Sequence, residues 1–285
     1  SNSVTIFNNE NGYYPIIMMD EHGFNNPKSL YQKKIDILLI GDSYAEGYSV
    51  EPQNNIGSLL RNKNFNVINL GKGGNGPLKE LGTLVEYGKN IKPKIIFWLY
   101  SHNDLTNLKN EAKSKILMKY LNDDNFSQNL INKQNILDSA MIKLVKNKQE
   151  KKFVIKNQLI SFINLNKSRN LILRNFREKN QIDLFEKVMI KSKKLISDWD
   201  GKLYFIYLPS YERYIMGKKD THKEEIKNII RSINLDFIDI EKEILRKNKN
   251  INIFFPNTNK VNEHGYHFTT NGYKEITEII TEVLN

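Results

Sequence analysis

The chain contains no cysteine, which rules out disulfide cross-links and thiolate metal sites and with them a small disulfide-stapled scaffold. It also lacks any apolar run approaching the ~20 residues that a membrane-spanning helix needs. No internal repeat is present, and the abundance of Asn and Lys runs along the whole sequence rather than forming a low-complexity tract. The formal net charge of +11 would suit a polyanion, yet no recognised nucleic-acid-binding module accompanies it. The lysines are dispersed, many of them on helical stretches such as Lys187 to Lys194, as on a solvated face. Nucleic acid is therefore not an expected partner. Anionic polysaccharide or a lipid surface is equally compatible with the charge.

What is present is enough for one large α/β domain or two small ones: 285 residues, 39% of them hydrophobic. Residues 1–34 read as an irregular leader that packs along the domain, with Gly12-Tyr13-Tyr14-Pro15 and Gly23-Phe24-Asn25-Asn26-Pro27 as turn material. Short apolar runs then recur at 35–40, 65–70, 94–100, 202–208 and 235–240. They lack clean alternation, as strands covered on both faces should. Helical periodicity fills the intervals at about 54–62, 77–90, 184–199, 221–233 and 270–284. Strand alternating with helix predicts a flavodoxin-like three-layer αβα sandwich with about five parallel strands over 35–285. Residues 105–180 break the rhythm. They predict helices at Leu105–Leu121, Ser127–Lys148 and Phe153–Arg177 and are too long for an ordinary connection, so a helical insertion beside the cleft is expected.

Four separated pieces carry the chemistry. Gly41-Asp42-Ser43 follows the first strand, Asn69-Leu70-Gly71-Lys72-Gly73-Gly74-Asn75-Gly76-Pro77 the second, and Ser101-His102-Asn103-Asp104 the third. His267-Phe268-Thr269-Thr270-Asn271-Gly272-Tyr273 precedes the last helix. All four fall at one edge of the predicted sheet, where open α/β sheets bind ligands. A serine there needs a base to become a nucleophile near neutral pH, and His267 is the candidate. An oxyanion formed at an attacked carbonyl would meet the backbone N–H of Ser43, a backbone N–H of the glycine loop and the side-chain amide of Asn103. No metal or organic cofactor is needed. Each residue also has a plainer reading. Ser43 and Asn103 are good helix caps, Gly74 is one turn glycine among several, and His267 could be an ordinary surface histidine. Asp42 is expected to hold its loop through backbone amides and Asp104 to bond the N-terminus of its helix, rather than either reacting.

These blocks resemble the SGNH, or GDSL, hydrolase superfamily, whose four motifs map onto Ser43, Gly74, Asn103 and His267 over roughly 35–104 and 200–285. The choice of Gly74 over Gly73 rests on that spacing. The resemblance implies ester hydrolysis or acyl transfer, often on acetylated carbohydrate or lipid. It also implies an aspartate three residues before the histidine, where this chain has His264. Glu263 is the nearest carboxylate to replace it, and a Ser–His dyad oriented by a backbone carbonyl is the alternative. Ser101 stands where glycine is usual, and His102 adds a polar group beside Asn103.

The expected function is thus a serine acylhydrolase removing an acetyl or other short acyl group from a carbohydrate or lipid ester. The alternatives are an O-acyltransferase acting on polysaccharide and a degenerate member that binds acylated glycan without turnover. The sequence starts Ser1-Asn2-Ser3 rather than with Met. Together with the expected substrate and the absence of cysteine, this leans towards an extracytoplasmic location with a membrane tether outside the given sequence, cytoplasmic placement being the other option. Oligomeric state does not follow from these residues.

Overall fold

In the computed structural model, which describes residues 1–152, 170–219, 222–247, 249–256 and 267–284, the leader is not irregular throughout. It opens with a hairpin of β1 (Val4–Ile6) and β2 (Ile16–Met18), antiparallel with Val4 opposite Met18 and Ile6 opposite Ile16. Ile17 points inward and joins Phe7 and Met19 in a small apolar cluster against Tyr48. Three-residue strands are too short for a two-residue period to be read from sequence.

The main sheet is parallel. Its strands are β3 (Ile37–Gly41), β4 (Val67–Asn69), β5 (Ile95–Tyr100), β6 (Lys202–Tyr207) and β7 (Asp236–Asp239), in the spatial order β4-β3-β5-β6-β7. Every residue of β3 and β4 is buried, which is why these strands read as continuous apolar runs. Alternate residues feed two cores. Leu38, Ile40, Ile96 and Trp98 pack with Leu78, Leu81, Leu105, Phe185, Val188 and Ile230 on one face. Ile37, Leu39, Phe97 and Leu99 pack with Ile56, Leu60, Ile244, Ile276 and Ile280 on the other. Helices thus cover both faces, giving the three-layer sandwich expected.

The chain leaves β3 towards β4 on one side and returns to β5 on the other. This reversal opens a crevice between the carboxyl ends of β3 and β5, the topological switch point at which doubly wound sheets hold ligands. The register sets Gly41 beside Leu99, so the loops after these two strands face each other.

Between β5 and β6 the described residues are largely helical. The stretch read as one helix from Leu105 to Leu121 is two, Asp104–Glu111 and Lys115–Asn122. They are separated by a turn whose Ser114 side chain accepts from the Leu117 N–H and starts the second. A further helix runs Gln134–Lys152, and Asn170–Ser197 is one long helix leading into β6. Of the expected helix Phe153–Arg177, residues 153–169 lie outside the described residues. The buried carboxylate of Glu86 organises this region, accepting from the Gln128 and Leu130 N–H groups at 2.6 and 2.7 Å and from the Tyr120 hydroxyl at 2.7 Å. No helix among the described residues is long and apolar enough to cross a membrane.

Candidate active site

Ser43 is the first residue of the short helix Ser43–Glu46, which begins directly after β3. The tightness of that turn depends on Gly41. A Cβ there would lie 2.7 Å from the Leu99 carbonyl oxygen and 2.9 Å from the Ala45 Cβ, too close for any side chain. Asp42 caps the helix, one oxygen accepting from the Tyr44 N–H at 2.9 Å and the other from the Ser101 hydroxyl at 2.8 Å. Its carboxylate therefore holds the turn and ties it to the loop after β5.

His267 comes to Ser43 from the far end of the chain. Phe268, fully buried, anchors the segment, and Thr269 caps the final helix Thr270–Glu282 by accepting from the Gly272 N–H. The imidazole Nε2 then sits 2.7 Å from Ser43 Oγ. The rings of Tyr44 and Tyr48 flank the imidazole with centroids 4.7 and 4.8 Å away, leaving it little freedom to turn.

The far ring nitrogen is met by Glu10. Both Glu10 oxygens lie 3.0 Å from His267 Nδ1, and Oε2 also accepts the His267 backbone N–H at 2.8 Å. The residue is only 2% exposed. A carboxylate at Nδ1 requires the proton on that nitrogen, so Nε2 is the acceptor for the serine hydroxyl. The neighbouring Asn11 braces the arrangement, its amide donating to the Ser49 carbonyl at 2.9 Å and to the Phe268 carbonyl at 3.3 Å. Glu263 and His264 lie outside the described residues.

Glu10 was not legible as a site residue. It stands among turn residues in the leader, 257 positions from His267, and no local motif connects the two. The leader holds three carboxylates, Glu10, Asp20 and Glu21, and nothing in the sequence singles out the first.

On the other side of Ser43 lies the glycine loop. Gly74 has φ +75°, and a Cβ on it would meet nothing within 4 Å, so the residue faces open space in a left-handed conformation that favours glycine. The Gly73 N–H is taken by Glu46 Oε2 at 2.7 Å, whereas among the described residues neither the Gly74 nor the Ser43 N–H has an acceptor. Glu111 pins the far end of the loop, accepting from Gly76 at 2.7 Å and Leu78 at 3.0 Å.

Asn103 precedes the helix Asp104–Glu111 without capping it through its side chain. Its Oδ1 instead touches the Ser101 hydroxyl, and its amide nitrogen has no partner among the described residues. Ser101 thus links Asp42 to Asn103. Asp104 accepts the Ser101 N–H at 2.9 Å and lies 3.1 Å from its hydroxyl, turning back on the loop rather than onto its own helix. Burial, and then the charge of Asp42, push the Asp104 carboxyl well above the usual range, which favours its protonated form. Glu80, fully buried beneath this cluster, is raised in the same way by burial and by Asp104 and Asp42. His102 is exposed and paired through Nε2 to Glu212 at 3.0 Å. Among the described residues no group of His, Asp and Glu side chains converges to hold a metal ion.

A hydroxyl hydrogen-bonded to an oriented imidazole, backed by a buried carboxylate and flanked by unpaired N–H groups, can deliver a nucleophile to a carbonyl and hold the resulting oxyanion. No family model and no curated relative matches the chain. Among solved structures it is similar to the lipase/acylhydrolase from Enterococcus faecalis, at 13% identity over 88% of this chain and 95% of that one, TM-score 0.49. It is similar to an acetyl xylan esterase at 14% identity over 88% and 100%, TM-score 0.49. A GDSL-like lipase from Bacteroides thetaiotaomicron follows at 12% identity over 89% of each chain, TM-score 0.44. Five parallel strands between two helical layers make a three-layer αβα sandwich.

Proposed function

We propose that this protein is an SGNH-type serine ester hydrolase that removes an acetyl or other short acyl group from a carbohydrate or lipid ester through an acyl-serine intermediate. The observation that carries this reading is the unbroken relay from Ser43 Oγ through both nitrogens of His267 to Glu10. Ser43 Oγ attacks the ester carbonyl carbon as its proton passes to His267 Nε2. The imidazolium so formed is stabilised by the Glu10 carboxylate at Nδ1. Negative charge on the carbonyl oxygen is received by the N–H groups of Ser43 and Gly74 and the amide nitrogen of Asn103, each such donor being worth about 3–4 kcal/mol in the transition state. Collapse expels the alcohol, which takes the proton from Nε2. Water then repeats the sequence on the acyl-serine and releases the acid. A sugar hydroxyl replacing water would make the protein an O-acyltransferase through the same intermediate.

Hydrolysis of p-nitrophenyl acetate by pure protein, measured against Ser43→Ala, tests the reading. Turnover lost in the variant, together with mass-spectrometric capture of a fluorophosphonate on Ser43, supports it. No turnover by the unmodified protein and no adduct on Ser43 would sink it in favour of a non-catalytic acyl-glycan binder. Product analysis with and without a sugar acceptor separates hydrolysis from transfer.

A further inference from the structure

Glu46 lies on the nucleophile's own helix, three residues after Ser43, and is 2% exposed. Its Oε2 accepts the Gly73 N–H at 2.7 Å and its Oε1 accepts from Lys72 Nζ at 2.7 Å. The loop approaches closely here, since a Cβ on Gly73 would stand 3.2 Å from Glu46 Oε2 and 3.7 Å from the Ser43 Cβ. The helix itself is held from outside, with Asn25 Nδ2 donating to the Glu46 carbonyl at 2.8 Å and Asn69 Nδ2 to the Ala45 carbonyl at 2.6 Å.

Two successive amides, Gly73 and Gly74, could each supply the loop's donor to an oxyanion. Among the described residues only the Gly73 N–H has a partner. We propose that Glu46 is a positioning residue for the oxyanion hole: by holding the Gly73 N–H it fixes the loop so that the Gly74 N–H faces the carbonyl oxygen attacked by Ser43. This inference rests on the ester-hydrolase reading above. Nucleophile and clamp share a four-residue helix, so one carboxylate sets the spacing between the Ser43 and Gly74 donors. A charge-assisted bond to a backbone N–H is strong enough to do so, and preorganised donors are what oxyanion stabilisation requires. Lys72 is the dispensable partner. Its side chain is 43% exposed and can swing into water.

Reach and charge are separable by substitution. Glu46→Asp keeps the charge and shortens the arm; it is expected to lower kcat about 10- to 100-fold with KM changed less than about threefold, short of the ~10²–10³-fold for outright loss of a donor. Glu46→Gln keeps the arm and an acceptor for Gly73, and is expected to restore kcat to within about fivefold of the unmodified enzyme. Wild-type activity on p-nitrophenyl acetate with unchanged kcat in Glu46→Asp, or a loss in Glu46→Gln exceeding that in Glu46→Asp, would overturn the positioning role alone. Absence of wild-type turnover and of a Ser43 adduct would instead remove the reading beneath it. Amide hydrogen exchange on unmodified protein gives a test that needs no variant. The Gly73 amide should exchange slowly and the Gly74 amide rapidly, and rapid exchange at both would overturn the proposal.

Discussion

The carboxylate of Glu10 grips His267 twice, at the ring Nδ1 and at the backbone N–H. A leader residue thereby fixes both where the histidine sits and which tautomer it adopts. The backbone bond holds the residue and the ring bond directs Nε2 at Ser43.

Glu10→Gln tests this directly. The amide can present either its oxygen or its nitrogen to Nδ1, and when it presents nitrogen the wrong tautomer results and Nε2 no longer accepts from Ser43. A triad carboxylate replaced by its amide costs up to about 10⁴-fold in kcat, and steady-state kinetics on a short-chain ester should show a loss of about 10³–10⁴-fold in kcat. Glu263→Gln, by contrast, should stay within about threefold, because the position at Nδ1 is already filled.

Asn11 is the next link. It bonds the Ser49 and Phe268 carbonyls, and so joins the leader to the serine loop and the histidine segment at once. Asn11→Ala removes two hydrogen bonds worth about 0.5–1.5 kcal/mol each. The expected result is a lowered Tm by calorimetry together with a kcat reduction smaller than that of Glu10→Gln, since the acid remains but its seat loosens. An unchanged Tm and kcat would separate the leader's brace from the site.

The sequence made the sheet legible because β3, β4 and β5 are buried on both faces and so appear as uninterrupted apolar runs. Ser43, Asn103 and His267 could be singled out because each lies beside an element that had already been located, whereas Gly74 was chosen through the spacing of the resemblance. Their convergence on one edge followed from parallel topology. Glu10 and Glu46 were hidden for a common reason. Each acts through a contact with a segment remote in sequence or on another loop, and nothing in their neighbours marks a carboxylate as a partner rather than a solvated charge. Asp104 shows a further limit. Its position next to a helix start suggested a helix-terminal role, whereas the buried hydroxyl and N–H of Ser101 compete for it and win.

Asn103 separates an oxyanion donor from a loop support. Asn103→Ala leaves Ser101 bonded to Asp42 and so preserves the loop's main tie. It should cost about 10²–10³-fold in kcat with little change in KM. Thermal unfolding should move little, since the side chain does not cap its helix. A large drop in Tm with kcat retained in the folded fraction would assign the residue to structure alone. Gly74→Ala offers a parallel test, as the site has room for the methyl but a left-handed backbone costs an alanine about 1–2 kcal/mol.

Glu80 predicts how stability depends on pH. Its carboxyl is fully buried, and burial with the nearby Asp104 and Asp42 raises its pKa well above the ordinary value. In the unfolded chain the same group titrates near the ordinary glutamate value of about 4.3. The folded state therefore binds more protons than the unfolded state above that pH, and stability falls as pH rises towards the folded pKa. Its contribution is fully present below the unfolded pKa. Asp104, raised for the same reason, adds to the trend. Glu80→Gln removes this proton without changing shape, so it should raise Tm by a few degrees at neutral pH. The gain should shrink as pH is lowered and vanish near pH 4. Calorimetry of both proteins between about pH 4 and 8 checks the sign, and a difference that does not change with pH across that window would show that Glu80 does not keep its proton in the fold.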